Sequence, residues 1–267
     1  MAIITKTQGT LEYRVAQGIS VPHGFTTRLG GVSQGHLASM NIGLSRGDDP
    51  VNVAENYRIL GRALGFDTHK LVQTKQVHES YVRPVDSSDW GKELDVPARP
   101  ECDGLITNTP GTALMIFTAD CTPILLWDSV TGAVGAVHAG WRGTAADIAG
   151  KAVAAMADAF GSDPKNIHAA IGPNIGQCCF ETGREVPDAL ADTFGEAIMP
   201  DIRAANGKYY VNLKAINALA LRRRGVDNIE ISGECTMCRP DIYWSHRYTR
   251  GVRGAQGAII VCKEVQL

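Results

Sequence analysis

The sequence predicts a layered α/β (α+β) fold in which helices cover one or more mixed sheets. Short, nearly continuous apolar runs such as residues 113–118 are typical of strands buried on both faces. These runs alternate with segments that begin at helix-capping residues and end near glycine. Strands interleaved with helices are typical of layered α/β architectures.

Four helices are predicted from their capping and stop signals. Asp49 followed by Pro50 is an N-cap with proline at the first helical position. Thr144 with Asp147 resembles a capping box at the start of an alanine-rich helix. The predicted helices cover residues 50–65, 144–161, 185–194 and 213–225.

Six strands are predicted, two of them joined by a tight turn at residues 128–132. The chain has no repeat and no Pro/Ser-rich linker, and the polar segment 86–101 is interpreted as a loop. We therefore predict a single domain over residues 1–267. The predicted strands cover residues 113–118, 123–127, 133–138, 166–171, 228–231 and 258–261.

Composition excludes several classes of protein. The formal net charge is -2, and the one basic cluster, residues 222–224, is interpreted as a favourable contact with a helix C-terminus, so no nucleic-acid partner is expected. No stretch approaches the roughly 20 apolar residues of a membrane span, and the N-terminus is too polar for a secretory signal. We therefore expect no membrane association and a cytoplasmic location. Seven cysteines, an odd number, favour reduced thiols over a disulfide framework.

Three side chains suggest a catalytic metal site. Cys121 follows the first buried strand, and His138 ends a later strand that is predicted to pair beside it, so both are expected at one edge of the sheet. His78 lies in a separate Gln-Val-His segment. Two imidazoles and one thiolate suit Zn²⁺, and three protein ligands leave the fourth position open for chemistry.

Eight segments, in order along the chain, carry a resemblance to a known family. The two most specific are FTADCTPILLWD (117–128) and GAVHAGWRGT (135–144). The sequence resembles the YfiH/laccase-domain family, also called the polyphenol oxidase or purine nucleoside phosphorylase family. The other six segments are HGFTTRLGGVSQG (23–35), MNIGLSRGD (40–48), QVH (76–78), CDGLITNTPG (102–111), IGPNIGQCCFE (171–181) and NLKAIN (212–217).

The resemblance implies a fold similar to that of cytotoxic necrotizing factors and YfiH-like cysteine hydrolases. It also implies zinc bound by His78, Cys121 and His138. The implied activities are phosphorolysis of adenosine, inosine, guanosine and methylthioadenosine, and deamination of adenosine. Purine nucleoside and phosphate would then be the partners, and the chain would act as a monomer or small homo-oligomer.

Further site residues are predicted within or near the matching segments. Phosphorolysis needs cations for phosphate, and deamination needs a proton shuttle. Cys121 and His138 are predicted to act in catalysis as well as in metal binding, with Asp103 and Glu181 as candidate proton shuttles. The predicted substrate-binding residues are Arg28, Asn41, Gln76, Arg142 and Arg247.

Three alternatives remain open at this point. Cys121 and His138 also suit a cysteine hydrolase, with the thiol as nucleophile and the imidazole as base. The resemblance implies that such a hydrolase would edit peptidoglycan precursors. A copper polyphenol oxidase is disfavoured because the seven histidines include no His-x-His pair, although copper remains possible as the bound metal. A non-enzymatic metal-binding protein is the third alternative.

Four other cysteines are not assigned by the resemblance. Cys235 and Cys238 form a single CxxC motif, which is interpreted as ordinary thiols because no second CxxC accompanies it. Cys178 and Cys179 are adjacent, and neighbouring cysteines seldom bridge, so one of them is interpreted as lining a pocket.

Overall fold

Two six-stranded mixed sheets form the centre of the computed structural model, which describes residues 3–91 and 99–263. In spatial order the strands of the first sheet are β1 (Ile3–Gln8), β2 (Leu11–Ala16), β3 (His23–Thr26), β15 (Gln256–Val261), β7 (Ala113–Thr118) and β4 (Leu71–Gln73). In this sheet β4 and β7 are parallel, and all other neighbouring strands are antiparallel.

The second sheet contains the hairpin on which two of the predicted metal ligands depend. In spatial order its strands are β14 (Asn228–Ile231), β10 (Ile167–Ile171), β8 (Thr122–Asp128), β9 (Val134–Ala139), β6 (Gly104–Thr107) and β5 (Val82–Pro84). The outer pairs β10–β14 and β5–β6 are parallel, and the inner pairs are antiparallel. A small antiparallel sheet comprises β11 (Glu181–Thr182), β13 (Lys208–Val211) and β12 (Ile202–Ala205).

The two large sheets pack face to face, and helices cover their outer faces. On β7, Leu114 and Ile116 join the cluster between the sheets, which also contains Leu125 and Ala136 from the second sheet. The alternate residue Met115 belongs to the cluster under the first helix, since successive side chains of a strand face opposite ways. The helices are α1 (Pro50–Leu64) on the first sheet, α2 (Trp141–Ala145), α3 (Ile148–Phe160), α4 (Glu185–Phe194) and α5 (Leu213–Arg223) on the second, and the short α6 (His246–Thr249).

The predicted layered α/β class is confirmed, with helices on both outer faces of a mixed β sandwich. The Asp49 side chain accepts from the Val51 backbone N–H at the start of α1, and Gly65 ends that helix with φ +70°. Asn212 caps α5 in the same way by accepting from Ala215. The likeness to cytotoxic necrotizing factors stays a prediction.

One helix prediction was wrong at its start. Residues 144–161 do not form one helix that begins at a Thr144 capping box. The Thr144 side chain is buried within α2, and the true N-cap of α3 is Asp147, whose carboxylate accepts from the Gly150 N–H. Asp147 has φ +57°, so the chain turns sharply between the two helices. The sequence pattern therefore indicated a helix start, but the residue that caps the helix is Asp147 and not Thr144.

All six predicted strands are present, within one or two residues of their expected ends. In the predicted loop 86–101, residues 87–89 form a 3-10 turn, and residues 92–98 lie outside the described part of the chain. Within residues 3–91 and 99–263, no helix is both long and apolar enough to cross a membrane.

Candidate metal centre

The register of the β8–β9 hairpin brings Cys121 and His138 together. Thr122 pairs with Ala139 and Pro123 with His138, so Cys121 lies at the mouth of the hairpin directly beside the end of β9. His78 reaches the same point from the loop that follows β4. One ligand atom from each of the three side chains lies within 4.8 Å of the others. The His78 and His138 rings are 4.9 Å apart and nearly perpendicular, at 86°.

One ligand, His78, and the residue before another ligand, Cys121, have positive φ angles. His78 has φ +62°, and Asp120, which precedes Cys121, has φ +90°. Non-glycine residues in this region cost about 1–3 kcal/mol and persist only where the surroundings hold them. Asp120 is held by hydrogen bonds from the Thr236 hydroxyl, 2.6 Å, and from the Arg247 backbone N–H, 2.7 Å.

Asp103 fixes the two histidine segments relative to each other. Its fully buried carboxylate accepts a hydrogen bond from His138 Nδ1 at 2.8 Å. The same carboxylate accepts backbone N–H groups from the three consecutive residues Val77, His78 and Glu79. With Nδ1 occupied in this way, Nε2 is the His138 nitrogen left for a metal. Carboxylate–histidine pairs of this kind orient the imidazole of metal-binding histidines.

Cys121 and His138 stabilise each other's charged forms. Burial opposes ionisation of Cys121, but the adjacent His138 and His78 outweigh it and lower the thiol pKa to about 6. Burial likewise opposes protonation of His138, whereas Cys121 and Asp103 raise its pKa to about 9. The two side chains therefore form a thiolate–imidazolium pair near neutral pH, and a metal would bind the thiolate and displace the proton from His138 Nε2.

The donor set fits a catalytic zinc ion. Imidazole nitrogen and thiolate sulfur are both ligands that Zn²⁺ accepts, three protein ligands are the number found in catalytic zinc sites, and all three approach a common point. Exposure increases across the set, from buried His138 through half-buried Cys121 to exposed His78. The three ligands therefore face solvent on one side only.

The open side faces a cleft of about 240 Å³. His78, Cys121 and His138 all contribute to its wall, together with the aromatic ring of Phe117 and four cationic side chains. Those four are Arg46, Lys75, Arg99 and Arg253. The cleft thus combines metal ligands, an aromatic surface and positive charge.

Among the predicted substrate-binding residues, Gln76 lines the cleft, but its amide is already occupied. Its Oε1 accepts from the Phe117 backbone N–H at 2.6 Å, and its Nε2 donates to the Phe117 carbonyl at 2.8 Å. Gln76 therefore positions Phe117. Asn41 is buried beneath the cleft, where its Oδ1 accepts from Gly43 and Ala255, both of which border the cleft.

The three predicted arginines lie outside the set of residues that line this cleft. Arg28 stacks 4.0 Å over the Trp244 ring and donates to the Pro240 and Ala38 carbonyls. Arg142 is exposed and stacks on its neighbour Trp141. Arg247 donates to the Glu181 carbonyl through its side chain.

The two predicted proton shuttles have different surroundings. Asp103 has no exposed surface, and its carboxylate is used by His138 and the 77–79 backbone. Glu181 is exposed on the small sheet and accepts from the Tyr210 hydroxyl at 2.7 Å. Neither carboxylate lines the cleft.

Sequence reasoning missed the cations that do line the cleft. Arg46 stands in the MNIGLSRGD segment, so its position in a matching motif was an available signal. Arg253 lies near the C-terminus and reaches the cleft only because β15 pairs with β7, the strand that leads to Cys121. Spacing along the chain cannot reveal that pairing.

Comparisons with known proteins identify the family of this chain. The profile of a family described as multi-copper polyphenol oxidoreductase laccase matches residues 22–263. The chain is 39% identical over 246 residues to the purine nucleoside phosphorylase YlmD of Geobacillus stearothermophilus, covering 90% of each. It is 38% identical over 246 residues to a purine nucleoside phosphorylase of Deinococcus radiodurans, covering 92% of this chain and 90% of that one.

Solved structures show the same architecture. The crystal structure of the Bacillus licheniformis hypothetical protein YfiH superposes with a TM-score of 0.91 at 32% identity, covering 97% of this chain and 99% of that one. YlmD from Geobacillus stearothermophilus gives 0.88 at 34% identity, covering 98% and 100%. The chain therefore belongs to the YfiH/laccase-domain family.

Proposed function

We propose that this chain is a zinc-dependent purine nucleoside phosphorylase that acts on adenosine, inosine, guanosine and methylthioadenosine and also deaminates adenosine. The observation that carries the proposal is the convergence of His78, Cys121 and His138 at the wall of a cationic cleft. Relatives named purine nucleoside phosphorylase, at 34–39% identity over most of the chain, support the reaction class.

His78, Cys121 and His138 would hold the zinc ion, which supplies Lewis-acid chemistry when bound. Asp103 keeps the His138 ring in the orientation that presents Nε2 to the ion, through the 2.8 Å contact at Nδ1. Gln76 holds the Phe117 backbone, and the Phe117 ring, which has the Arg99 guanidinium 5.4 Å from its centre, would offer an apolar surface for a purine base.

Arg253 and Arg46 form the phosphate site in this proposal. Burial and the nearby Arg46 charge together lower the pKa of Arg253 to about 10. Its Nε is buried and has no hydrogen-bond partner among the described residues. Two guanidinium groups that repel each other, one with an unused donor, are stabilised by a dianion between them. They would bind and orient phosphate for attack on the ribose C1′.

Replacing Arg253 with glutamine is expected to raise the KM for phosphate by about 10–100-fold, because one charge-assisted contact to the anion is lost. Steady-state kinetics at saturating inosine measure this change. Arg142→Gln is the matched control, since that exposed arginine lies outside the cleft and its substitution should leave the KM unchanged. Equal effects of the two substitutions would contradict the assignment of phosphate to Arg253.

Incubation of purified protein with adenosine or inosine and phosphate tests the proposed activities. Chromatography should detect the free base when phosphate is present. In phosphate-free buffer, adenosine should still be converted to inosine, because deamination needs water and no phosphate. A His78→Ala variant is the control, and turnover no greater than that variant's would overturn the proposal.

Removing the metal should abolish both reactions. Dialysis against a strong chelator is expected to reduce turnover by about 10³-fold or more, the effect of losing several kcal/mol of Lewis-acid stabilisation. One equivalent of Zn²⁺ for the triad should restore the activity, as measured by the same chromatographic assay. Restoration by copper and not by zinc would contradict the metal assignment.

A cysteine hydrolase is the second candidate, because the same atoms form a Cys–His–Asp arrangement. Cys121 lies beside His138, and His138 Nδ1 contacts Asp103 at 2.8 Å, as an orienting carboxylate does in a nucleophilic triad. Its proposed substrates would be misassembled peptidoglycan precursors. Chelation separates the two functions, since a thiol nucleophile would retain or gain activity when the metal is removed.

A further inference from the structure

Four cysteines that the proposed function does not use converge at a second point. Cys178 and Cys179 lie in the loop between β10 and β11, and Cys235 and Cys238 lie in the loop after β14. All four Sγ atoms lie within 4.8 Å of one another. The parallel pairing of β10 with β14 sends both loops out of the same edge of the sheet, which explains how residues so far apart in the chain meet. We propose that Cys178, Cys179, Cys235 and Cys238 bind a second, structural Zn²⁺ ion.

The sulfur spacing fits a single tetrahedral ion. Cys238 Sγ lies 3.6 Å from Cys178 Sγ and 3.4 Å from Cys179 Sγ. Four sulfurs placed about 2.3 Å from one zinc at tetrahedral angles are about 3.8 Å apart. Iron–sulfur clusters distribute their four ligands over two or more irons, which requires a wider arrangement than this. The spacing therefore favours a mononuclear site.

Backbone donors and a missing side chain prepare the site for thiolates. The Gly176 N–H points at Cys235 Sγ, 3.1 Å away. A Cβ on Gly176 would lie 3.2 Å from Cys178 Sγ and 3.5 Å from Cys235 Sγ, so glycine allows both sulfurs to approach the loop closely. N–H groups directed at sulfur stabilise its negative charge.

Charge balance requires a cation among these sulfurs if all four are to ionise. Nearby Lys214 supplies one positive charge and donates to the Ser232 and Glu234 carbonyls beside Cys235. A divalent ion would add two more, which leaves the four-thiolate site with one net negative charge.

Hydrogen bonds link the four-cysteine site to the site of His78, Cys121 and His138. Asn174 pairs with Cys235, and the next residue, Thr236, donates its backbone N–H to the Asn174 carbonyl at 2.9 Å. The Thr236 hydroxyl then holds Asp120, the left-handed residue that precedes Cys121. A zinc ion that joins the two loops would therefore fix the backbone on which one triad ligand depends.

Metal analysis of reduced, zinc-loaded full-length protein tests the proposal. The wild type should contain two equivalents of zinc. A Cys178→Ser/Cys238→Ser variant should contain one, and both substituted residues are exposed, so little packing is disturbed. Cys102→Ser and Cys262→Ser, which replace cysteines outside both clusters, should still contain two equivalents. Two equivalents in the Cys178/Cys238 variant would overturn the proposal.

Zinc-edge X-ray absorption provides a second test that leaves all four cysteines intact. A His78→Ala/Cys121→Ser variant should retain one zinc with four sulfur neighbours at about 2.3 Å and no nitrogen shell. Absence of zinc from this variant, a mixed shell, or iron in its place would contradict the proposal. The proposal of zinc at His78, Cys121 and His138 can be wrong independently of this one. In that case the wild type would contain one zinc ion with an all-sulfur shell.

Discussion

A Cys121→Ser variant is expected to lose about 10³-fold or more of its phosphorolytic turnover, because the metal-ligating thiolate is replaced by a neutral hydroxyl. The two histidines that remain form too weak a site to retain zinc at neutral pH. The expected result is loss of one zinc equivalent together with loss of activity. Parallel metal analysis and kinetics on the same preparation measure both.

Cys262→Ser is the matched control for this substitution. Cys262 is a buried thiol that follows β15, outside both cysteine-containing clusters. Its replacement should leave zinc content and turnover unchanged, although burying a hydroxyl is expected to cost some stability. Full activity in Cys121→Ser, or an equal loss in both variants, would argue against a metal ligand at position 121.

An Asp103→Asn variant should lose both stability and metal affinity. Oδ1 accepts from His78 and His138, and Oδ2 accepts from Val77 and Glu79. In either orientation, the new NH₂ group therefore faces N–H donors. Breaking such a buried charged contact costs about 3–5 kcal/mol, and losing the group that orients a metal-binding histidine lowers metal affinity by about 10–100-fold. Denaturant unfolding and competitive zinc titration measure the two effects.

Asp128→Ala is the control that separates the two effects, because an asparagine at position 128 would keep both hydrogen bonds through its remaining oxygen. Asp128 is equally buried and accepts from the Val130 and Thr131 N–H groups, but it lies at the opposite end of β8 from Cys121. Its substitution should lower stability while leaving zinc affinity intact. A drop in zinc affinity of the same size in both variants would mean that Asp103 acts through global stability alone.

Much of the fold could be predicted because local signals and tertiary structure agree. Asp49 and Asn212 cap the helices where sequence places them, and apolar runs such as 113–118 are strands buried on both faces. The strands before residue 86 were missed because β2 and β3 mix polar with apolar residues and do not form apolar runs. That two sheets face each other depends on long-range pairing, such as β15 with β3 and β7, which no local pattern encodes.

The candidate site was predicted unevenly for the same reason. His78, Cys121 and His138 belong to specific motifs, and the structure brings their ligand atoms together. Arg28 also lies in a matching segment, yet its guanidinium is used against Trp244, which sequence cannot show. The CxxC of Cys235 and Cys238 is interpreted from sequence as ordinary thiols because no second CxxC accompanies it. The cysteines that lie beside it in the structure are an adjacent pair on another loop. Only the pairing of β10 with β14 brings these two halves together.

The most direct test of the central claim is an anomalous difference map at the zinc edge from crystals of the zinc-loaded protein. The account predicts a peak bonded to Cys121 Sγ and to one ring nitrogen each of His78 and His138, about 2.0–2.3 Å from each atom. The ligand at His138 should be Nε2, with Nδ1 still on Asp103. A map with no peak at this position, in crystals whose other zinc sites are occupied, would contradict the account.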